Sequence, residues 1–381
     1  MKKLLYYAPF SYGGLLNYAQ EQADAIARHG VDVTVLCAPE FTKRPEDKYN
    51  LLPTLVDNRP IKRQIRPLRS IRHVRITLRN LHRLRREIVE GGYTHVMFAS
   101  YGEYFSPIWA RWLRALTRKG VTFAAVVQEP VRDFRVGPIW WHRLSIWNAY
   151  SFLSVAFVHD SVQLETCGPV ANMKTIVIPY GPHRFPDATQ VREETRGLLG
   201  VPENAQLLLS FGHIRDNKNL DYAIRALTEL PNVWLLVAGA RNASSQKPPE
   251  HYMELARSQG VSDRCIWRID YISEEEAANL FTACDLVLLT YSSSFRSASG
   301  VLHVAARYRK HSIVSSGQGS LQNVLQVYQI GIGIPPDKPD EVVSGIKRWI
   351  ENAPTPDWER YFEENSWDRN AEIVVNCLRS H

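Results

Sequence analysis

The chain has 381 residues, with 46 Lys or Arg against 39 Asp or Glu and a formal net charge of +7. This length favours two domains over a single core. A composition that is 45% hydrophobic and 22% charged excludes disordered and fibrous proteins. The five cysteines are far apart and lack metal-ligand spacing, which argues for a reducing compartment and against structural zinc. No apolar run approaches the ~20 residues of a membrane span and the first residues lack a signal-peptide pattern, so we expect a cytoplasmic protein, at most peripheral to a membrane.

The first half of the chain alternates apolar runs with helical patterns. Residues 3–8 predict a strand, residues 11–14 a glycine-containing loop and residues 15–29 a helix. Further strands are predicted at 31–39, 95–98, 121–127, 154–158 and 175–179. Strand, loop, helix and strand in this order predict a doubly wound parallel sheet.

A strongly basic stretch lies between Arg59 and Arg86, with eleven Lys or Arg and no acid. Its apolar residues recur at roughly helical spacing, which predicts a cationic amphipathic helix. Two interpretations stay open: a buried stripe under a solvated basic face, or attraction to an anionic membrane surface, worth ~1 kcal/mol per basic residue. Nucleic acid is disfavoured because no recognition motif accompanies the charge. Five tryptophans are expected to pack in the core; the alternative is that they lie at an interface or line an acceptor pocket. They are Trp109, Trp112, Trp140, Trp141 and Trp147.

The same order restarts in the second half of the chain. A stretch at about 184–200 with proline and several charged residues forms a break, and a strand is predicted over residues 206–212. Helices and strands alternate from there to about residue 316, which predicts a second parallel α/β domain. We therefore predict domains at 1–184 and 185–360, and a helical segment at 361–381 that packs back on the N-terminal domain.

Four loops that follow predicted strands are candidate ligand sites, because ligands of open parallel sheets bind beyond the carboxyl ends of the strands. The first contains Gly13 and Gly14, which let a phosphate or sugar approach the backbone; a simple tight turn is the alternative. The second is 211–219, where Arg215 and Lys218 suit an anion at a helix start. Its alternative is a solvated polar turn.

The third loop, at 291–304, forms an entrance to a helix that is rich in hydroxyl groups and small residues. A phosphate would be held there by N–H and O–H donors, from Ser297, Ser299, Gly300 and Val301. A serine-capped helix after a flexible loop is the alternative. The fourth loop carries Gln128 and Glu129, of which Glu129 suits an acceptor hydroxyl; an exposed loop acid before a proline is the alternative.

These segments together resemble the GT-B glycosyltransferases, and most closely family 4. The motifs that carry the resemblance occur in the family's order: the N-terminal Gly13-Gly14 loop, IPYG at 178–181, FGHIRDNKN at 211–219, LLVAG at 235–239, SGVLHVAARYRKHSIVSS at 299–316 and SWDRNAE at 366–372. The resemblance implies an α/β fold of two Rossmann-like doubly wound parallel-sheet domains facing a cleft. The N-terminal domain would take the acceptor and the C-terminal domain the nucleotide-sugar donor, with UDP or GDP as the nucleotide and no metal or other cofactor.

The resemblance also predicts site residues, some of which depart from the family pattern. Donor contacts are expected at Gly13, Gly14, Gly212, His213, Arg215, Lys218, Gly239, Ser297, Ser299, Gly300 and Val301. His213 stands where the family usually has an arginine, while the following lysine is kept as Lys218. The two family glutamates fall at Ser297 and Ala305, and the family histidine falls at Gln128, before Glu129. We expect Lys218, Arg215, Glu129 and Gln128 to act in catalysis.

The implied reaction is sugar transfer to a glycan or a lipid diphosphate-linked acceptor, with retention of configuration, in cell-surface polysaccharide synthesis. Two other functions stay open. A nucleotide-sugar 2-epimerase shares the architecture, although its carboxylate-rich catalytic set is not found here. An inactive sugar-nucleotide-binding partner is suggested by the replaced glutamates. A dehydrogenase is disfavoured because the dinucleotide fingerprint is absent.

Overall fold

The computed structural model describes residues 1–57, 66–132, 137–161, 163–164, 168, 170, 172–241 and 246–381, without the side chains of 66–70. These residues form two compact units. Unit 1 consists of Met1–Gly181 and Asn365–His381, and unit 2 of Pro182–Glu364. The chain therefore returns to unit 1 for its last helix.

Unit 1 is built around a seven-stranded parallel sheet in the order β3-β2-β1-β4-β5-β6-β7. Its strands are β1 (Lys3–Ala8), β2 (Asp32–Cys37), β3 (Asn50–Pro53), β4 (His95–Phe98), β5 (Thr122–Val126), β6 (Val155–Val158) and β7 (Lys174–Val177). Its helices are α1 (Gly13–Arg28), α2 (Arg66–Glu90), α3 (Ser106–Thr117), α4 (Ile139–Tyr150) and α13 (Trp367–Arg379). Strand order reverses beside β1, which is the doubly wound arrangement.

Three helices of unit 1 share one hydrophobic core with the sheet. Leu84 of α2, Leu113 of α3 and Ile146 of α4 are fully buried in the same cluster as Phe98 and Phe123 of the central strands. Because side chains alternate between the two faces of a strand, this cluster defines one face of the sheet. Helices α2, α3 and α4 therefore form one layer on that face.

Unit 2 is built around a six-stranded parallel sheet in the order β10-β9-β8-β11-β12-β13. Its strands are β8 (Gln206–Phe211), β9 (Val233–Ala238), β10 (Cys265–Arg268), β11 (Leu286–Thr290), β12 (His311–Ser315) and β13 (Gly331–Gly333). Its helices are α5 (Arg192–Leu199), α6 (Leu220–Ala226), α7 (Pro249–Ser258), α8 (Glu274–Ala283), α9 (Gly300–Arg307), α10 (Ser320–Tyr328), α11 (Pro339–Glu351) and α12 (Trp358–Glu364).

Alternation along β8 shows why its three consecutive leucines, Leu207, Leu208 and Leu209, are all needed. Leu207 and Leu209 enter one core cluster, whereas Leu208 enters a second cluster on the opposite face. All three are fully buried. A strand covered by helices on both faces needs apolar residues at every position. The predicted pair of parallel α/β sheets is thus confirmed.

The structure corrects several local expectations. The stretch interpreted as a break at 184–200 contains α5, which begins with Glu193 and Glu194 in its first turn and ends at Gly200 in the left-handed conformation. Acids at the start and a glycine at the end are favourable helix signals that the charged composition obscured. The edge strands β3 and β13 were not predicted, because neither carries a long apolar run. The basic helix is described from Arg66 to Glu90, and residues 59–65 lie outside the described part.

None of the described helices is both long enough and apolar enough to cross a membrane.

A buried polar network connects α13 to the rest of unit 1. The Asn370 side-chain amide donates to the Pro179 carbonyl at 2.7 Å, and its oxygen accepts from Gln22 Nε2 at 2.9 Å. The Gln22 oxygen in turn accepts from the Tyr6 hydroxyl at 2.8 Å. Gln22 and Asn370 are both fully buried, so each partner depends on the other for hydrogen bonding.

Replacement of Asn370 by Ala should destabilise the protein by about 2–3 kcal/mol, because it leaves Gln22 and the Pro179 carbonyl buried with lost partners. The free energy of unfolding in urea measures this effect. Asn376→Ala, at an exposed position of the same helix, is the matched control and should change stability by less than about 0.5 kcal/mol. Equal effects of the two substitutions would contradict a role for the network.

Candidate active site

The loop after β8 folds back on the end of its own strand. Gly212 has a φ of +85°, a conformation that glycine adopts without steric cost. The chain then makes a short 3-10 turn at Asp216–Lys218, and the Lys218 ammonium donates to the Phe211 carbonyl at 2.5 Å. Asp216 holds the turn, since its carboxylate accepts from the Lys247 amide at 2.9 Å. The positive charge of Lys218 is thereby held at the carboxyl end of the strand.

Two hydrogen bonds fix this loop to the end of β11. Thr290, the last residue of that strand, donates from its hydroxyl to the Lys218 carbonyl at 2.8 Å. The Ser292 amide donates to the Asn217 carbonyl, also at 2.8 Å. Because β8 and β11 are neighbours in the sheet, the loops that follow them meet at one edge.

The start of α9 lies against the same loop. Ser299 precedes the helix, is buried, and its hydroxyl is 3.1 Å from the Tyr291 hydroxyl. A Cβ added at Gly212 would be 3.5 Å from Lys218 Nζ and 3.6 Å from Val301 Cγ2. Gly212 therefore lies between the lysine ammonium and the first turn of α9. No acid occurs in that first turn, so the positive end of the helix dipole is not offset there.

Position 239 requires a glycine because the backbone of the Gly212 loop approaches it closely. Its φ is +145°, and a Cβ built on it would be only 2.2 Å from the Gly212 carbonyl oxygen. The Gly212 amide donates to the Ala238 carbonyl at 2.9 Å, so the two loops leave β8 and β9 side by side. Any side chain at Gly239 would displace the loop that carries Lys218.

Three basic side chains, those of His213, Arg215 and Lys218, lie close together in this loop. Desolvation, and to a smaller extent the nearby Arg215, lower the pKa of Lys218 to about 7. Desolvation also lowers the pKa of His213, with Arg215 and Lys218 adding repulsion. A bound anion would relieve the repulsion between these basic groups. Such a cluster of basic groups with lowered pKa values is typical of a phosphate site.

Sequence reasoning missed the loop between β12 and α10. A Cβ at Gly317 would be 2.3 Å from the Ser293 carbonyl oxygen, and one at Gly319 would be 2.6 Å from the Arg296 carbonyl oxygen. The Gly317 amide donates to the Phe295 carbonyl at 2.9 Å. This loop therefore supports the segment before α9. A Gly-x-Gly pattern between a strand and a helix was the signal that could have identified it.

The two positions at which the family resemblance predicts glutamates, Ser297 and Ala305, differ in exposure. Ser297 is partly buried in the loop before α9, whereas Ala305 is completely buried in the core of unit 2. Neither position supplies a carboxylate. The side chains that we assign to anion binding at this edge are therefore neutral or basic.

The predicted residues of unit 1 lie at the carboxyl ends of its strands. Gly13 begins α1 with a φ of +68°, and a Cβ on either Gly13 or Gly14 would have no neighbour within 4 Å. After β5, Glu129 is exposed, while the Gln128 side-chain nitrogen is buried without a hydrogen-bond partner among the described residues. A buried amide nitrogen without a partner is costly and suits a ligand oxygen. Donor or catalytic contacts at these four residues remain predictions.

The assembled edge of unit 2 can bind an anionic group at a helix start. Lys218 and Arg215 supply charge, Gly212 and Gly239 allow close approach to the backbone, and the first turn of α9 supplies N–H donors. A diphosphate has the charge and the size for such a site.

Two family models match the chain, one for each half. Residues 12–179 match the model described as Glycosyltransferase Family 4. Residues 191–367 match the model described as Glycosyl transferases group 1. The order and extent of these matches, with the two parallel sheets, support a family 4-like glycosyltransferase of GT-B fold.

Individual relatives agree with this class. An uncharacterized glycosyltransferase of Methanocaldococcus jannaschii is 23% identical over 62% of this chain, and the chain spans only 63% of that relative's length. Sucrose-phosphate synthase from Thermosynechococcus elongatus superposes with a TM-score of 0.73 at 14% identity, covering 100% of this chain and 99% of that one. Anabaena HepE in complex with UDP and glucose superposes with a TM-score of 0.72 at 15% identity, covering 100% of both chains. The two structural matches show that the predicted GT-B fold is correct.

Gly239→Ala should lower stability and displace the Gly212 loop, because the new Cβ would overlap the Gly212 carbonyl. We expect a loss of at least about 2 kcal/mol in the free energy of unfolding. Gly197→Ala is the matched control: it lies on α5, its Cβ would have no neighbour within 4 Å, and a gain of about 0.5–1 kcal/mol is expected from helix propensity. Urea unfolding of both variants measures the difference, and a stable Gly239→Ala variant would contradict the close approach.

Proposed function

We propose that this protein is an active glycosyltransferase that moves a sugar from a nucleotide diphosphate donor, a UDP- or GDP-sugar, to a glycan or a lipid diphosphate-linked acceptor. The observation that carries the proposal is the position of Gly212 between Lys218 Nζ and Val301 at the start of α9. This arrangement offers a cation and a helix N-terminus to one anion. The bound UDP and glucose of the HepE structure provide a precedent in a protein of the same fold.

Stabilisation of the leaving group would be the main catalytic task. Breaking the bond between sugar and diphosphate leaves negative charge on the nucleoside diphosphate, which preorganised cations and N–H donors stabilise. We assign this role to Lys218 and Arg215 with the first turn of α9, rather than to a metal ion. Gln128 would hydrogen-bond the substrate but would not relay a proton, because an amide does not titrate. Glu129 would orient the acceptor, and transfer would retain the anomeric configuration, as the family resemblance implies.

The acceptor side of the proposal depends on unit 1. Its helix α2 carries arginines on its exposed side, at positions such as Arg75, Arg79 and Arg85. We propose that this helix, with the basic residues that precede it from Arg59, attracts an anionic membrane surface where a lipid-linked acceptor would lie. A role in cell-surface polysaccharide synthesis and a cytoplasmic location, peripheral on the membrane, are parts of the same proposal.

A second candidate is an inactive sugar-nucleotide-binding partner. It is favoured by Ala305, which is completely buried where the family has a glutamate. Incubation with UDP- and GDP-sugars, followed by analysis of nucleotide release with glycan and lipid-linked acceptors, separates the two. Binding without hydrolysis or transfer to any acceptor would favour the inactive partner. Formation of an epimer from the nucleotide sugar alone would instead indicate a 2-epimerase.

Lys218→Ala should weaken donor binding and lower turnover at least tenfold, because it removes a cation that lies beside the start of α9. Isothermal titration with a panel of UDP- and GDP-sugars measures binding, and nucleotide release measures turnover. Lys347→Ala is the matched control, since the Lys347 side chain is exposed on α11 and forms an ion pair with Glu229. Unchanged affinity and rate in the Lys218 variant would exclude this residue from the site.

Donor affinity should also decrease as the pH rises, because Lys218 loses its positive charge. The charged ammonium binds diphosphate, and its pKa in the free protein is lowered to about 7. Affinity should therefore be highest below about pH 6 and fall as the pH rises through 7, by up to about tenfold per pH unit. A nucleotide sugar, unlike free UDP, has no phosphate that titrates in this range. Titrations from pH 6 to about 9 should show this slope in the native chain and not in Lys218→Ala; equal slopes would contradict the assignment.

A further inference from the structure

The outer side of the helical layer in unit 1 carries apolar side chains that remain substantially exposed. Helix α4 exposes Ile139 by 40%, Trp140 by 63% and Leu144 by 38%. Trp140 and Leu144 are four residues apart and so lie on one side of the helix. Arg143, between them, is exposed as well. An exposed tryptophan with aliphatic neighbours is costly in water and marks an interaction surface.

Helix α3 extends this surface. The Ser106 hydroxyl donates to the Ser145 carbonyl, and Arg114 donates to the Asn148 side chain at 3.1 Å. These bonds place α3 beside the second half of α4, at Ser145 and Asn148. On its own outer side α3 exposes Ile108 by 42%, with Arg111 one turn further on. We call Ile108, Arg111, Ile139, Trp140, Arg143 and Leu144 the α3–α4 face.

The formal charges on helices α3 and α4 themselves have a single sign. Helices α3 and α4 contain no Asp or Glu, while Arg118 and Lys119 follow α3 directly. The neighbouring α2 has only two acids, and each already pairs with an arginine: Arg83 with Glu87 and Arg86 with Glu90. A second copy of the chain would bring the same positive charge against itself. The complementary partner is therefore anionic and apolar at once.

We propose that the α3–α4 face inserts into the headgroup region of an anionic lipid bilayer. Trp140, with Ile139 and Leu144, would enter the boundary between headgroups and acyl chains, where tryptophan is favoured. Arg111 and Arg143 would contact lipid phosphates from the same face. The basic residues of α2 then act at longer range, attracting the surface without entering it. Membrane insertion rests on the proposed function in one respect: the lipid-linked acceptor is the reason why the protein would need a membrane.

Vesicle flotation of the full chain tests the proposal. The native protein should float with phosphatidylcholine vesicles that contain phosphatidylglycerol, and at least tenfold less with phosphatidylcholine alone. The double variant Trp140→Ser, Leu144→Ser should lower affinity for the anionic vesicles at least tenfold. The charge variant Arg111→Glu, Arg143→Glu should lower it as strongly, and its remaining binding should depend less on salt.

A matched control removes equally exposed apolar residues from unit 2. Val191 and Leu198 are 65% and 66% exposed, and the double variant Val191→Ser, Leu198→Ser should float like the native chain. Native affinity in the Trp140 and Leu144 variant would overturn the proposal, as would failure of the native chain to float. A native dimer that the same variant converts to a monomer would assign the face to a second copy instead. Donor binding measured on the same samples should not change, so a failed membrane proposal and a failed donor site give different results.

Discussion

The contact between two backbones, at Gly212 and Gly239, is the constraint on which the candidate site depends. The loops after β8 and β9 leave the sheet side by side, and there is no space for a single methyl group between them. This close approach sets the path of residues 212–218 and so returns the Lys218 ammonium to the end of its own strand. Thr290 then fixes the carbonyl of the same residue from β11. A parallel sheet favours such a site because it brings the ends of neighbouring strands to one edge.

The electrostatics of this edge follow from the same geometry. Lys218 is withdrawn from water and lies near Arg215, so its charged form is disfavoured until an anion arrives. Folding already holds these positively charged groups close together. Binding of an anion would therefore require little reorganisation of the protein. Neither Ser297 nor Ala305 supplies a carboxylate that would offset this positive charge.

The helical layer of unit 1, formed by α2, α3 and α4, has an inner side and an outer side of different character. The inner sides of α2, α3 and α4 are buried with the sheet, and Trp109 of α3 is completely inaccessible. The outer sides carry arginine, isoleucine and Trp140 instead. Core packing was the first interpretation of all the tryptophans in this region, and it is correct for Trp109 but wrong for Trp140. Spacing within α4 did not reveal this, because apolar residues occur all around that helix.

Local sequence by itself determined the order of strands and helices, because apolar runs, glycine loops and helical spacing act within a few residues. It also identified Gly212, Lys218, Gly239 and Val301 as members of one candidate set, through a resemblance in motif order. Only the tertiary structure decided that these four lie together, that Gly239 approaches the Gly212 carbonyl, and that the Gly317–Gly319 loop supports them. The short edge strands β3 and β13 were likewise decided by pairing with β2 and β12. The physical reason is that contacts and burial depend on segments far apart in the chain, whose packing no local pattern contains.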